Sequence, residues 1–294
     1  GAAARRWPSV GVLISTFERP GLLLEALAQV AAQDYGGDVE AVVVDDSAES
    51  LEGRLEAERA GGGDLPPLRY IYLGERATIG AKRNLAARST AAEVLCVWDD
   101  DDVFTRHRLR RQVEHLLGWD GGGGVPCSGI EVAYMYSVPT RGLSFRPPRL
   151  PQLVFENTLC FTRDWWTSGG HGFGEPWEVS GQGEGTLEPW WEQVCPLTGD
   201  QAPFLYIYLH SSVSGGTPIF HEARPAPDER IFALVRALEC GHFPDSLRGP
   251  HVRGVLEGTR AGLERLLADP GLFDRPQRDY QAFCARYGQS EVEK

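Results

Sequence analysis

No apolar run in this chain approaches the roughly 18 residues that a membrane-crossing helix requires, so no span of that kind is expected. The opening stretch, GAAARRWPSVGVLIST, passes from two arginines into a strand-like run and carries no cleavable signal architecture. Cysteines are scattered singly at Cys96, Cys127, Cys160, Cys195, Cys240 and Cys284, without the C-x-x-C or paired spacing of a zinc site or a disulfide framework. A reducing compartment is the simpler reading. The expected setting is cytoplasmic, or a soluble domain of a larger or membrane-associated protein. Positive charge is scarce as well, with 29 Lys and Arg against 41 Asp and Glu and a formal net charge of −12. Long-range repulsion therefore disfavours nucleic acid and anionic membrane surfaces as partners. The glycine-rich stretches GGGD near Gly61 and GWDGGGGVP do not lie between strand and helix ahead of Lys-Ser/Thr, so neither cradles phosphate. Internal repeats are absent.

What the chain does have is room and rhythm. At 294 residues, 42% hydrophobic and 24% charged, it can bury a full core as one large domain, or as one domain with an appendage. Over the first 117 residues strand and helix patterns alternate: SVGVLIST, GLLLEALAQVAAQD, VEAVVVDD, ESLEGRLEAERA, LRYIYL, IGAKRNLAARS, EVLCVWDD and RHRLRRQVEHLL. Valine- and isoleucine-rich strands separated by helices predict a mostly parallel, doubly wound α/β sheet. From Cys127 to Ile219 the chain is rich in Gly, Pro and Trp, with short strand-like pieces NTLCFT and FLYIYLH. The last segment, with PDERIFALVRALE, RGVLEGTRAGLERLLAD and PQRDYQAFCARYG, predicts three amphipathic helices.

The sharpest local feature is VLCVWDDDDVF, an apolar strand that runs straight into Asp99, Asp100, Asp101 and Asp102. In an open α/β sheet the ligand site lies at the carboxyl ends of the strands. A second acidic strand end, Asp45-Asp46, falls there too. Carboxylates gathered at one place stay ionised most easily around a cation, and oxygen-only ligation suits Mg²⁺ or Mn²⁺ held jointly with substrate phosphates. The plainer alternative is that Asp102 caps the following helix. No G-x-G-x-x-G follows the first strand, which disfavours a dinucleotide-dependent oxidoreductase. Arg19 is the lone cation of that first turn, which disfavours a sugar nucleotidyltransferase with a basic triphosphate loop.

Four segments, VGVLISTFERPGLLLEALAQVAAQDY, AVVVDDS, TIGAKRNLAARS and VLCVWDDDDVFTRHRLRRQVEHL, resemble in order and spacing the glycosyltransferases of family 2. The resemblance covers about 110 residues and implies a GT-A nucleotide-sugar fold. On that pattern residues 1–225 form the transferase domain, with a nucleotide-sugar half at 1–117 and an acceptor half at 118–225. Residues 226–294 form a C-terminal helical extension. The implied activity is metal-dependent, inverting transfer of a sugar from a nucleoside-diphosphate sugar, a UDP-sugar first, to a carbohydrate or other hydroxyl acceptor, with Mn²⁺ or Mg²⁺ as cofactor. An inactive binding module and a sugar nucleotidyltransferase are the alternatives.

Carried over by position, the resemblance places Thr16, Glu18, Arg19, Asp46 and the neighbouring Asp45 around the base and ribose. Lys82, Arg83 and Asn84 fall near the nucleotide sugar, although Arg83 and Arg88 also fit a solvated helix face. Asp99 and Asp101 match the Asp-x-Asp motif, with Asp101 on the metal and Asp99 on the ribose or metal. The acidic Asp100 and Asp102 leave the register open by one residue. SGQGEGTLEPWW resembles the segment that carries the catalytic base, but has Gly185 where the family has Asp. The duty then falls to Glu184, or to Glu188 one helical turn on. His210, after FLYIYL, is a candidate further metal ligand or a structural histidine. Trp165, Trp166, Trp190 and Trp191 could stack on an acceptor sugar or pack a core.

Overall fold

Val10–Thr16 forms β1, and seven further elements alternate behind it in the expected order: α1 (Pro20–Ala31), β2 (Val39–Asp45), α2 (Glu52–Ala60), β3 (Leu68–Tyr72), α3 (Ile79–Arg88), β4 (Val94–Asp99) and, after a two-residue strand β5 (Val103–Phe104), α4 (Arg108–Leu116). Then come β6 (Cys127–Ile130), β7 (Ala133–Ser137), β8 (Gly142–Arg146), a 3-10 turn at Glu156–Thr158, β9 (Cys160–Thr162), α5 (Arg163–Ser168), β10 (Cys195–Leu197) and β11 (Tyr206–His210). The computed structural model describes residues 5–121, 123–130, 154–175 and 193–197 in full, and 133–137, 142–146 and 206–210 as backbone. The expected C-terminal helices lie outside the described residues.

The main sheet has the order β10-β6-β9-β4-β1-β2-β3. β1 is parallel to β2 and β4, and β2 to β3, while β9 runs antiparallel to both β4 and β6. The expected parallel sheet is thus present, with one reversed strand. A smaller sheet has the order β5-β11-β7-β8. Strand periodicity assigns the core. Val12, Ile14, Val43 and Trp98 pack with Leu23 and Leu27 of α1 and Leu109 and Val113 of α4 on one face. Leu13, Val42 and Val97 pack with Ala86 and Ala87 of α3 and Trp166 of α5 on the other. Each such leucine or isoleucine, fully buried, contributes about 1.5–3 kcal/mol.

Helix entry is local chemistry. Pro at the first turn pre-sets φ for α1, and Thr78 caps α3 by accepting from Ala81 N at 3.1 Å. The segment NTLCFT is only partly strand, because Asn157 and Thr158 are drawn into the 3-10 turn, where Thr158 Oγ1 donates to Phe155 O and accepts from Ile130 N. Pairing of β4 with β9 also brings two of the dispersed cysteines together: Cys96 and Cys160 are buried cross-strand partners, and burial raises the pKa of the Cys160 thiol. Among the described residues no helix is long and apolar enough to cross a membrane.

Candidate active site

β1, β2 and β4 end level with one another, Thr16 opposite Asp45 and Ser15 opposite Asp99. The parallel register therefore delivers the first turn and both acidic strand ends to one edge of the sheet. The four aspartates of the β4–β5 turn do not act alike. Asp99, Asp101 and Asp102 each present a carboxylate oxygen, all within 4.8 Å of one another. Asp100 turns toward β1, where it accepts from Thr16 Oγ1 at 2.6 Å and Arg19 at 3.3 Å. Burial first, and then Asp101 beside it, push the Asp100 carboxyl up to about 7. Arg19 also reaches Asp101 at 2.9 Å. Three hard oxygen donors gathered in this way fit a Mg²⁺ or Mn²⁺ ion.

The helix-cap alternative for Asp102 is excluded. α4 starts at Arg108 with His107 as its cap, and β5 intervenes. The Asp102 carboxylate instead accepts from the Asn157 side-chain amide. The Gln29 amide brackets the outgoing limb, donating to Asp102 O at 3.1 Å and accepting from Phe104 N at 2.7 Å.

On the β2 side Asp46 is fully buried and saturated, paired with Lys82 Nζ at 2.6 Å and Arg76 at 2.8 Å and accepting from Ala77 N at 3.0 Å. Lys82 donates onward to Thr16 O at 3.0 Å. Burial lowers the Lys82 pKa, and the bond to Asp46 works against that. Asp45 is tied within its own turn, accepting from Tyr70 OH at 2.6 Å and from the Ser47 backbone N–H at 2.9 Å. Glu18 adopts a left-handed φ of 53°, rare outside glycine. It is held there because its N–H donates to Ser47 Oγ at 2.7 Å and its carboxylate accepts from Ala48 N at 2.8 Å. Those two bonds clamp the β1 turn to the β2 turn. Phe17, next to Glu18 in the β1 turn, is 37% exposed, with the Arg76 guanidinium 3.4 Å from its ring centre.

On the β9 side Arg83 is buried rather than solvated, whereas Arg88 is exposed. It bridges Asp99 at 3.0 Å and Glu156. Burial opposes its charge, but Glu156 and Asp99 outweigh burial and raise its pKa. Asn84 brackets Phe173, donating to its carbonyl and accepting from its N–H, both at 2.8 Å, and also donates to Glu175 at 2.8 Å. The contact is so close that a Cβ on Gly80 would lie 1.8 Å from Gly174 O.

Trp166 is buried against Phe161 and Phe173, in the packing role. Trp165 lies against His171 and donates from Nε1 to Gln193 at 2.9 Å. His210 ends β11, three residues beyond Ile207, the partner of Val103 just past the acidic turn. Glu184, Glu188, Trp190 and Trp191 lie outside the described residues.

Sequence reasoning missed Arg76, Arg108, Glu156 and Asn157. Arg76 was within reach of the strand-end rule, since it follows β3. The other three meet the turn only through tertiary pairing.

The family model "Glycosyl transferase family 2" matches residues 11–131, the span that carries β1 to β6. An N-acetylglucosaminyltransferase of Mesorhizobium japonicum is 30% identical over 112 residues, 36% of this chain and 26% of the relative. The chain thus matches about a quarter of that relative's length. An N-acetylglucosaminyltransferase of Bradyrhizobium sp. is 31% identical over 105 residues, 35% of this chain and 68% of the relative. The crystal structure of S. aureus TarS 1-349 in complex with UDP-GlcNAc aligns with a TM-score of 0.51 at 15% identity, covering 93% of this chain and 92% of that one. Fold, family match and the Bradyrhizobium relative agree: the chain belongs to glycosyltransferase family 2.

Proposed function

We propose that this chain transfers a sugar from a nucleoside-diphosphate sugar to an acceptor hydroxyl, with inversion and with a divalent cation. The observation that carries this reading is the convergence of the Asp99, Asp101 and Asp102 carboxylates at the end of β4, beside the cationic Arg19 and Arg83. Asp99, Asp101 and Asp102 would hold the cation, with His210 as a further ligand. Bound there, a divalent ion supplies Lewis-acid stabilisation of the charge that develops on the departing diphosphate. Phe17, Arg76 and the Asp46–Lys82 pair would position base and ribose. Arg83 fixes Asp99 from the acceptor side and adds positive potential where negative charge grows. Glu184, or Glu188, would take the proton of the attacking hydroxyl. The names of the 30% and 31% identical relatives support an N-acetylglucosamine donor, and its UDP-linked form is the first to test.

Thermal melting with UDP, GDP, CMP or ADP, each with and without Mn²⁺, tests the donor site. UDP at a hundredfold excess over its Kd should stabilise the chain by about 2.7 kcal/mol, and only when Mn²⁺ is present. No shift with any of the four would overturn the donor assignment. Glu184→Gln should keep that shift and lose about 10²–10⁴-fold in transfer. Should it transfer at the full rate, the same loss belongs to Glu188→Gln. Donor binding by the wild-type chain without transfer to any acceptor hydroxyl would favour the binding-module reading that Gly185 suggests.

A further inference from the structure

We infer that Arg108 is a positioning residue for the acidic turn, with Gln112 as its support, and that it sets the affinity of the turn for its cation. The inference rests on the cation reading above. Arg108 opens α4 and is 0% exposed. Its Nη2 donates to Val97 O at 2.6 Å and to Asn157 O at 3.2 Å, and its Nε to Gln112 Oε1 at 3.0 Å. Gln112 in turn donates to Thr158 O at 2.8 Å. The guanidinium carbon lies 4.6 Å from the Trp98 ring centre and 4.0 Å from that of Phe104. Trp98 immediately precedes the four aspartates, and Phe104 follows them after Val103.

One side chain therefore touches both limbs of the turn and the backbone of Asn157, whose side-chain amide holds Asp102. A buried guanidinium is an expensive way to fill space, because an apolar residue of similar volume needs no desolvation. One property distinguishes Arg108 from such a residue. Its planar fork collects carbonyls from β4 and from the 3-10 turn, which fixes their separation. It acts on the cation indirectly. The fork keeps Asn157 where its side-chain amide can orient Asp102. Outer groups that orient ligands in this way commonly change metal affinity by about 10–100-fold.

The test is Mn²⁺ titration of the full chain without nucleotide, read by the electron paramagnetic resonance of free Mn²⁺ at a temperature where each variant is folded by circular dichroism. Arg108→Met should weaken Mn²⁺ binding about tenfold or more, and Arg108→Lys, which keeps charge but loses the fork, should fall between it and wild type. In turnover assays the Mn²⁺ concentration for half-maximal rate should rise by the same factor, while kcat at saturating Mn²⁺ stays close to wild type. Gln112→Leu, which removes the Nε acceptor, should shift affinity in the same direction by less, and it decides the matter should Arg108→Met fail to fold. Folded variants with wild-type Mn²⁺ affinity and only a lower melting temperature would overturn the inference alone. A wild-type chain that takes up no Mn²⁺ would overturn the cation reading, and this inference with it.

Discussion

Asp101→Ala is expected to abolish Mn²⁺-dependent donor binding and leave the fold intact. Asp101 contributes one of the three converging carboxylates and shares Arg19 with Asp100. Its loss removes a ligand, yet it also removes a like charge from a crowded turn, and Arg19 keeps its contact with Asp100. The melting temperature without metal should therefore hold or rise slightly. Asp101 is the second cause, after burial, of the high Asp100 pKa, so that carboxyl should ionise more readily in the variant. Transfer should fall at least about a hundredfold, the scale of losing one stabiliser of developing charge. Calorimetry with donor and Mn²⁺ is the check, and an unchanged binding heat would remove Asp101 from the cation site.

The second large effect is on stability. In Asp46→Ala, Lys82 stays buried at 5% side-chain exposure with only the Thr16 carbonyl left of its two hydrogen-bond acceptors. Breaking a buried ion pair from one side costs about 3–5 kcal/mol. At roughly 2–4 °C per kcal/mol for a chain of this class, melting should drop by about 10 °C. Adding Lys82→Met removes the orphaned cation, and the double variant should recover much of the loss. A single variant that melts with wild type would mean that Lys82 sheds its proton without cost, and the pair would then serve the ligand rather than the fold.

How far the sequence could foresee these residues depended on where their partners lie. β1 to β4 and α1 to α4 are each specified by their own periodicity, so they could be read directly. The acidic turn was legible for the same reason, since four adjacent carboxylates at the end of an apolar strand need no distant partner to stand out. The division of labour inside the turn was not legible. Asp100 is drawn aside by Thr16, 84 residues away, and Asp102 is held by Asn157, 55 residues away. Arg108 reads as one more cation on a basic helix until Asn157, 49 residues on, folds back over it. Arg83 misleads in the same way, because Glu156, 73 residues on, and the Phe173 ring meet it only in the fold. Cys96 and Cys160 look solitary for want of the 64-residue excursion that pairs their strands.

The bracket that Asn84 makes on Phe173 and Glu175 also limits what α3 can carry. Position 80 meets the same segment one turn earlier, where a Cβ would lie 1.8 Å from the Gly174 carbonyl oxygen. Any side chain there would have to lift residues 173–175 off the helix and stretch the three Asn84 hydrogen bonds together. Gly80 and Asn84 therefore form a fitted seam, in which the first sets how near the backbone comes and the second holds it at that distance. Arg83 pairs with Asp99 and lies 5.5 Å from the Phe173 ring centre, so a seam pried open at Gly80 would be felt at the acidic strand end.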